Sequence, residues 1–136
     1  MLLIFLISAC TQQTETPQLD FAESDDIRCA AASLKIDTVN IYDKGEISDV
    51  SIIVRNTGEL DNLAILDARV YNISGGSASV DKNMLVVDFD RREVITLKIK
   101  NAPISSCQNF SKAAVAAVCG GVIDVFDKEK RMPNCF

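Results

Sequence analysis

From Ser33 onward the apolar residues of this chain recur at every second position, a spacing that suits half-buried β-strands and not helices. Ile95, Leu97 and Ile99 alternate with Thr96, Lys98 and Lys100. Leu34 and Ile36 alternate with Lys35 and Asp37. Val50, Ile52 and Val54 share a face, with Ser51 and Arg55 off it, and Leu66, Ala68 and Val70 alternate with Asp67, Arg69 and Tyr71. Turn chemistry separates these runs: Asp43-Lys44-Gly45-Glu46, Asn56-Thr57-Gly58, Ser74-Gly75-Gly76-Ser77 and Asp90-Arg91-Arg92. Leu85–Phe89 reads as one more strand. Gly120-Gly121 joins Ala113–Cys119 to Val122–Phe126 as a hairpin turn, although the Ala-rich stretch Ser111–Val118 also suits a short helix. About seven short strands with regular turns predict an all-β, two-sheet antiparallel sandwich. No Gly-rich phosphate loop precedes a helix, no βαβ rhythm appears, and no internal repeat is found.

A chain of 136 residues with 48% apolar residues can bury one core. Its net charge of −5 argues against nucleic acid as a partner, because phosphate backbones are met by clustered Lys and Arg. Histidine is absent, which removes Ser–His and Cys–His nucleophiles and imidazole metal ligands. No cofactor is implied.

The N-terminus supplies an address. Met1–Ala9 reads M-L-L-I-F-L-I-S-A, far short of the roughly 20 apolar residues a spanning helix needs, but suited to the apolar region of a secretory signal. No Lys or Arg precedes the run, which departs from the usual signal pattern. Ile7-Ser8-Ala9-Cys10 resembles a lipobox, the site where lipoprotein signal peptidases cut before a cysteine that then carries lipid. Residues 11–26, T-Q-Q-T-E-T-P-Q-L-D-F-A-E-S-D-D, are polar, acidic and poor in aliphatics, so they cannot offset their own ordering entropy. The expected organisation is a signal-type segment at 1–9, lipid attachment and a disordered tether at 10–26, and a β-sandwich at 27–136. The acids Asp20, Glu23, Asp25 and Asp26 would keep the tether solvated and extended.

Cysteine arithmetic agrees with an exported chain. Of Cys10, Cys29, Cys107, Cys119 and Cys135, setting Cys10 aside for lipid leaves four, an even number suited to two disulfides in an oxidising compartment. Three pairings remain open. No Cys-x-x-Cys spacing suggests redox or zinc chemistry.

Ile47 to Tyr71, I-S-D-V-S-I-I-V-R-N-T-G-E-L-D-N-L-A-I-L-D-A-R-V-Y, resembles the strand–Asn-Thr-Gly–strand core of immunoglobulin-like surface domains. Such domains are common in archaeal cell-envelope proteins, including adhesion-type repeats, pilin ectodomains and archaellum accessory proteins. The resemblance implies an immunoglobulin-like sandwich with a noncatalytic surface or scaffolding role, and it carries over no site residues.

Several constellations remain. Asn72-Ile73-Ser74 and Asn109-Phe110-Ser111 fit the N-glycosylation sequon at strand ends or loops. Asp88 and Asp90, with Glu93 nearby, gather carboxylates at a strand end, and Glu59 and Asp61 lie in the Asn-Thr-Gly loop. These are hard oxygen ligands of the kind Ca²⁺ takes, but no Asp-x-Asp-x-Asp-Gly loop is present, so a solvated acidic surface is the expectation. Asp124 and Asp127 read the same way. The expected role is a noncatalytic surface lipoprotein that meets a protein or glycan outside the cell and holds the membrane through its lipid. The alternatives are a self-assembling subunit or accessory protein of a surface filament and, further off, a hydrolase with paired carboxylates.

Overall fold

A computed structural model of the chain describes residues 29–86 and 88–136. The signal-type segment, Cys10 and the tether therefore lie outside the described residues. Chain contacts separate Met1–Ala31 from the compact body Ala32–Phe136.

The body is an all-β sandwich. Its strands are β1 (Leu34–Asp43), β2 (Ser48–Asn56), β3 (Ile65–Asn72), β4 (Ser77–Ser79), β5 (Val94–Ala102), β6 (Phe110–Ala117), β7 (Ile123–Asp127) and β8 (Asn134–Cys135). One sheet has the order β5-β2-β1-β8 and the other β4-β3-β6-β7. All pairings are antiparallel except β1 with β8. Hairpins β1–β2, β3–β4 and β6–β7 stay within a sheet, while β2–β3, β4–β5 and β5–β6 cross between sheets, the Greek-key connectivity of immunoglobulin-like sandwiches.

The two inner faces make one core. Ile36, Val39 and Ile41 of β1, Val50, Ile52 and Val54 of β2, and Leu97 and Ile99 of β5 are buried together with Ala68, Val70, Phe110, Val115 and Phe126 from the opposite sheet. Phe110 and Phe126 meet edge to face with centroids 6.2 Å apart. Burial of side chains this size stabilises by about 1.5–3 kcal/mol each, before ordering entropy is counted.

The sequence reading needs two corrections, and one alternative it left open is decided. Among the described residues of Leu85–Phe89 no strand forms: a 3-10 turn at Lys82–Met84 comes before Leu85, the Val86 carbonyl accepts from the Ile65 N–H, and Phe89 forms an isolated bridge with Leu63. Two short strands, β4 and β8, instead complete the sheets. In β3, Ile65 rather than Leu66 joins the core, because a bulge sets Ile65 opposite Ala117 and Asp67 opposite Ala116, leaving Leu66 57% exposed. The strand expected at Ala113–Cys119 is present as β6, Phe110–Ala117, and the helix alternative for Ser111–Val118 is not adopted. This strand lies between β3 and β7, where pairing on both sides and burial of Ala113, Val115 and Ala117 override the helix preference of alanine.

Side chains bind one edge of the sandwich to the other. β1 bulges between Ile36 and Thr38. The Ile36 N–H there donates to Asp124 Oδ2 on β7 at 2.7 Å. Arg131 donates to the Ile36 and Asp37 carbonyls at 2.8 and 3.3 Å, with its guanidinium 4.4 Å from the centroid of Phe126. Asp124, expected to be merely solvated, thus satisfies backbone of β1 beyond Asn40 and Ile41, the positions at which β8 pairs.

Candidate binding face

Each strand of the β5-β2-β1-β8 sheet turns one set of side chains to the core and the other outward. Register arranges the outward set in rows. Asn134, Asn40, Ser51 and Lys98 form one row across all four strands. Thr38, Ile53 and Thr96 form the next, and Tyr42 lies opposite Asp49 beyond the first. Asn40, Tyr42, Ser51, Ile53, Thr96, Lys98 and Lys100 line an open depression of about 460 Å³ on this face. Ser79, Asp81 and Met84 line another, of about 660 Å³, which also takes in Lys98 and Lys100.

The C-terminus completes this face. Asn134 Nδ2 donates to Asn40 Oδ1 at 3.0 Å and to Thr38 Oγ1 at 3.3 Å. Phe136 continues the β8 ladder, its N–H donating to Ile41 O and its carbonyl accepting from the Asp43 N–H. Its ring stacks on Tyr42 with centroids 5.1 Å apart, and both rings stay largely open to solvent. A disulfide from Cys107 to Cys135, Cα–Cα 5.9 Å, holds β8 to the β5–β6 connection. Cys29 and Cys119 are also disulfide-bonded, so all four cysteines set aside for bridges are used.

Asp49, at the rim, accepts from the Asn101 N–H at 3.1 Å and from Lys44 Nζ at 3.3 Å. The backbone bond, and secondarily Lys44, hold its carboxyl below the ordinary 3.8. Asp61 is lowered in the same way by the Arg91 N–H at 2.9 Å and then by the Arg91 guanidinium, which also reaches Glu59 at 3.6 Å. Both depressed carboxylates favour the folded state while ionised. That contribution is whole above 3.8 and disappears as pH falls through their lower folded-state values. Asp61→Asn is expected to flatten the loss of stability as pH falls below 3.8, as measured by urea midpoints at stepped pH.

The other sequence candidates lie apart from this face. Asn72 Nδ2 donates to Pro103 O at 2.8 Å, while its Oδ1 accepts from the Ser74 and Gly76 N–H groups. The nitrogen a glycan would modify is thus tied to the backbone. Asn109 Nδ2 reaches the same Pro103 carbonyl at 3.5 Å. Asp90 accepts from the Asn62 N–H, and its own N–H donates to Glu93, so these carboxylates cap a turn; Asp88 is exposed. Among the described residues no three Asp, Glu, Cys or His side chains form a metal-holding group.

Sequence reasoning did not single out Asn40, Tyr42, Lys98, Lys100, Asn134 or Phe136. Strand alternation signals the outward lysines of β5. Nothing local signals the residues flanking Cys135, whose place depends on a parallel pairing nearly a hundred positions away. No protein-family model and no curated protein matches this chain.

Proposed function

We propose that this chain is a noncatalytic binding module of the cell envelope, exported by its N-terminal segment and tethered through lipid on Cys10, which offers the outer face of the β5-β2-β1-β8 sheet to a partner. The observation that carries the reading is that face. It spans four strands, combines carboxamides, hydroxyls, lysines and an exposed aromatic pair, and is completed by a C-terminal strand that a disulfide secures. The disulfides support an extracytoplasmic site of action, since such bonds persist in oxidising compartments. No helix among the described residues is long and apolar enough to cross a membrane.

The test is a pull-down from envelope extract with the full chain, wild type against Lys98→Glu/Lys100→Glu. A partner retained by wild type and lost by the variant supports the reading. Partners retained equally by both would contradict the choice of face.

A further inference from the structure

We infer that the outer face of the β5-β2-β1-β8 sheet binds an acidic saccharide, a chain of sugar rings bearing carboxylates; the inference rests on the binding reading above and names its ligand.

Charge is the first argument. The chain as a whole carries −5, yet this face presents Lys35, Lys98 and Lys100, all exposed, and its Asp49 is already committed to Lys44 and the Asn101 N–H. Lys98 and Lys100 have no ion-pair partner among the described residues. A cationic strip on an acidic protein selects an anion.

Chemistry of the middle of the face is the second. Asn40 and Asn134 share one hydrogen bond, which leaves Asn40 Nδ2 and Asn134 Oδ1 without a partner among the described residues. With the exposed Thr96 and with Ser51, buried between them at 9% exposure, they offer donors and acceptors side by side, the pattern that vicinal hydroxyls match. Two positions along from Asn40 and Asn134, Tyr42 and Phe136 expose aromatic surface, 41% and 69%, on which the apolar face of a pyranose can stack.

The shape of the surface is the third. The two depressions share Lys98 and Lys100, so a strip several rings long can follow the sheet and turn around its β5 edge. A protein partner fits less well. Protein hot spots are aromatic or aliphatic anchors in a desolvated centre, whereas the centre here is the polar Asn40–Ser51–Lys98 row. Addition of a peptide strand would use the β5 edge, where the same lysines discourage pairing.

Lysines on an edge strand also guard against aggregation, so the test must separate the two roles. Charge reversal does so, because Lys98→Glu/Lys100→Glu keeps the edge charged. The full chain is titrated against fluorescent oligogalacturonate, neutral dextran of matched length and a poly-glutamate peptide. Oligogalacturonate should bind at least tenfold tighter than either control. The double variant should lose at least tenfold while keeping the thermal midpoint and oligomeric state of the wild type, and Tyr42→Ala should weaken binding several-fold. Equal affinity for poly-glutamate would show charge without saccharide recognition. Equal affinity for dextran, an unaffected double variant, or no saccharide binding would each overturn the inference. If saccharide binding fails while the pull-down still yields a partner dependent on Lys98 and Lys100, the binding module stands and only its ligand class is wrong.

Discussion

Asn56→Asp is expected to destabilise the domain by about 3 kcal/mol or more, and by more than Asn56→Ala does. Asn56 ends β2 at 1% exposure. Its Nδ2 donates to the carbonyls of Leu60 and Phe89, each at 2.9 Å, and its Oδ1 accepts from the Gly58 N–H at 3.1 Å. One carboxamide therefore fixes the Asn-Thr-Gly turn and fastens the irregular Phe89 segment beside it. Alanine removes three hydrogen bonds: the Leu60 carbonyl loses this donor, and the Phe89 carbonyl keeps only the Leu63 N–H. Aspartate is nearly isosteric but turns an acceptor toward those carbonyls, and burial then resists its ionisation. The destabilisation of Asn56→Asp should grow as pH rises through the carboxylate range, where ionisation costs most. Urea unfolding of both variants at pH 5 and pH 8 checks this; Asp tolerated as well as Asn would contradict the assigned role.

The second large effect concerns the bridge at the C-terminus. Cys107 and Cys135 are separated by 28 positions, and a loop of that length is worth about 3.5 kcal/mol on the chain-entropy view. Cys107→Ser/Cys135→Ser should lower the thermal midpoint by roughly 15 °C, the shift expected for a domain near 100 residues. Because β8 has only two residues, pairing alone cannot hold it. The Tyr42–Phe136 stack should loosen as well, seen as lost near-ultraviolet dichroism at a temperature where the core remains folded. A midpoint shifted by less than about 3 °C would mean that β8 is secured by something other than the bridge.

These effects show which parts of the molecule are written locally. β5 follows its alternation faithfully, Leu97 and Ile99 in and Lys98 and Lys100 out, because it lies flat on the core without irregularity over those positions. The Asp43–Glu46 and Asn56–Gly58 turns also lie where their residues place them, between β1 and β2 and directly after β2. β3 departs at Leu66, since a bulge is set by register with β6 and not by residue type. Leu85–Phe89 has the composition of a strand, but its described residues make only scattered bonds to Leu63 and Ile65; Phe89 is buried in the core while Leu85 and Val86 pack against it half-buried. β4 and β8, of three and two residues, are too short to carry a period. The candidate face inherits this division. Its lysines were legible as outward residues of β5, while Asn134 and Phe136 arrive through the bridge and a parallel pairing. The disulfide partners were open in the sequence for the same reason: spacing along a chain does not fix distance in a sandwich.

The central claim, that this domain works outside the cytoplasm on a lipid tether, is tested most directly by intact-mass analysis of the protein extracted from membranes, before and after reduction. The account predicts a chain beginning at Cys10 with added lipid mass, four hydrogens lighter before reduction than after, as two disulfides require. A chain that retains residues 1–9 without lipid, with its cysteines as free thiols, would contradict it.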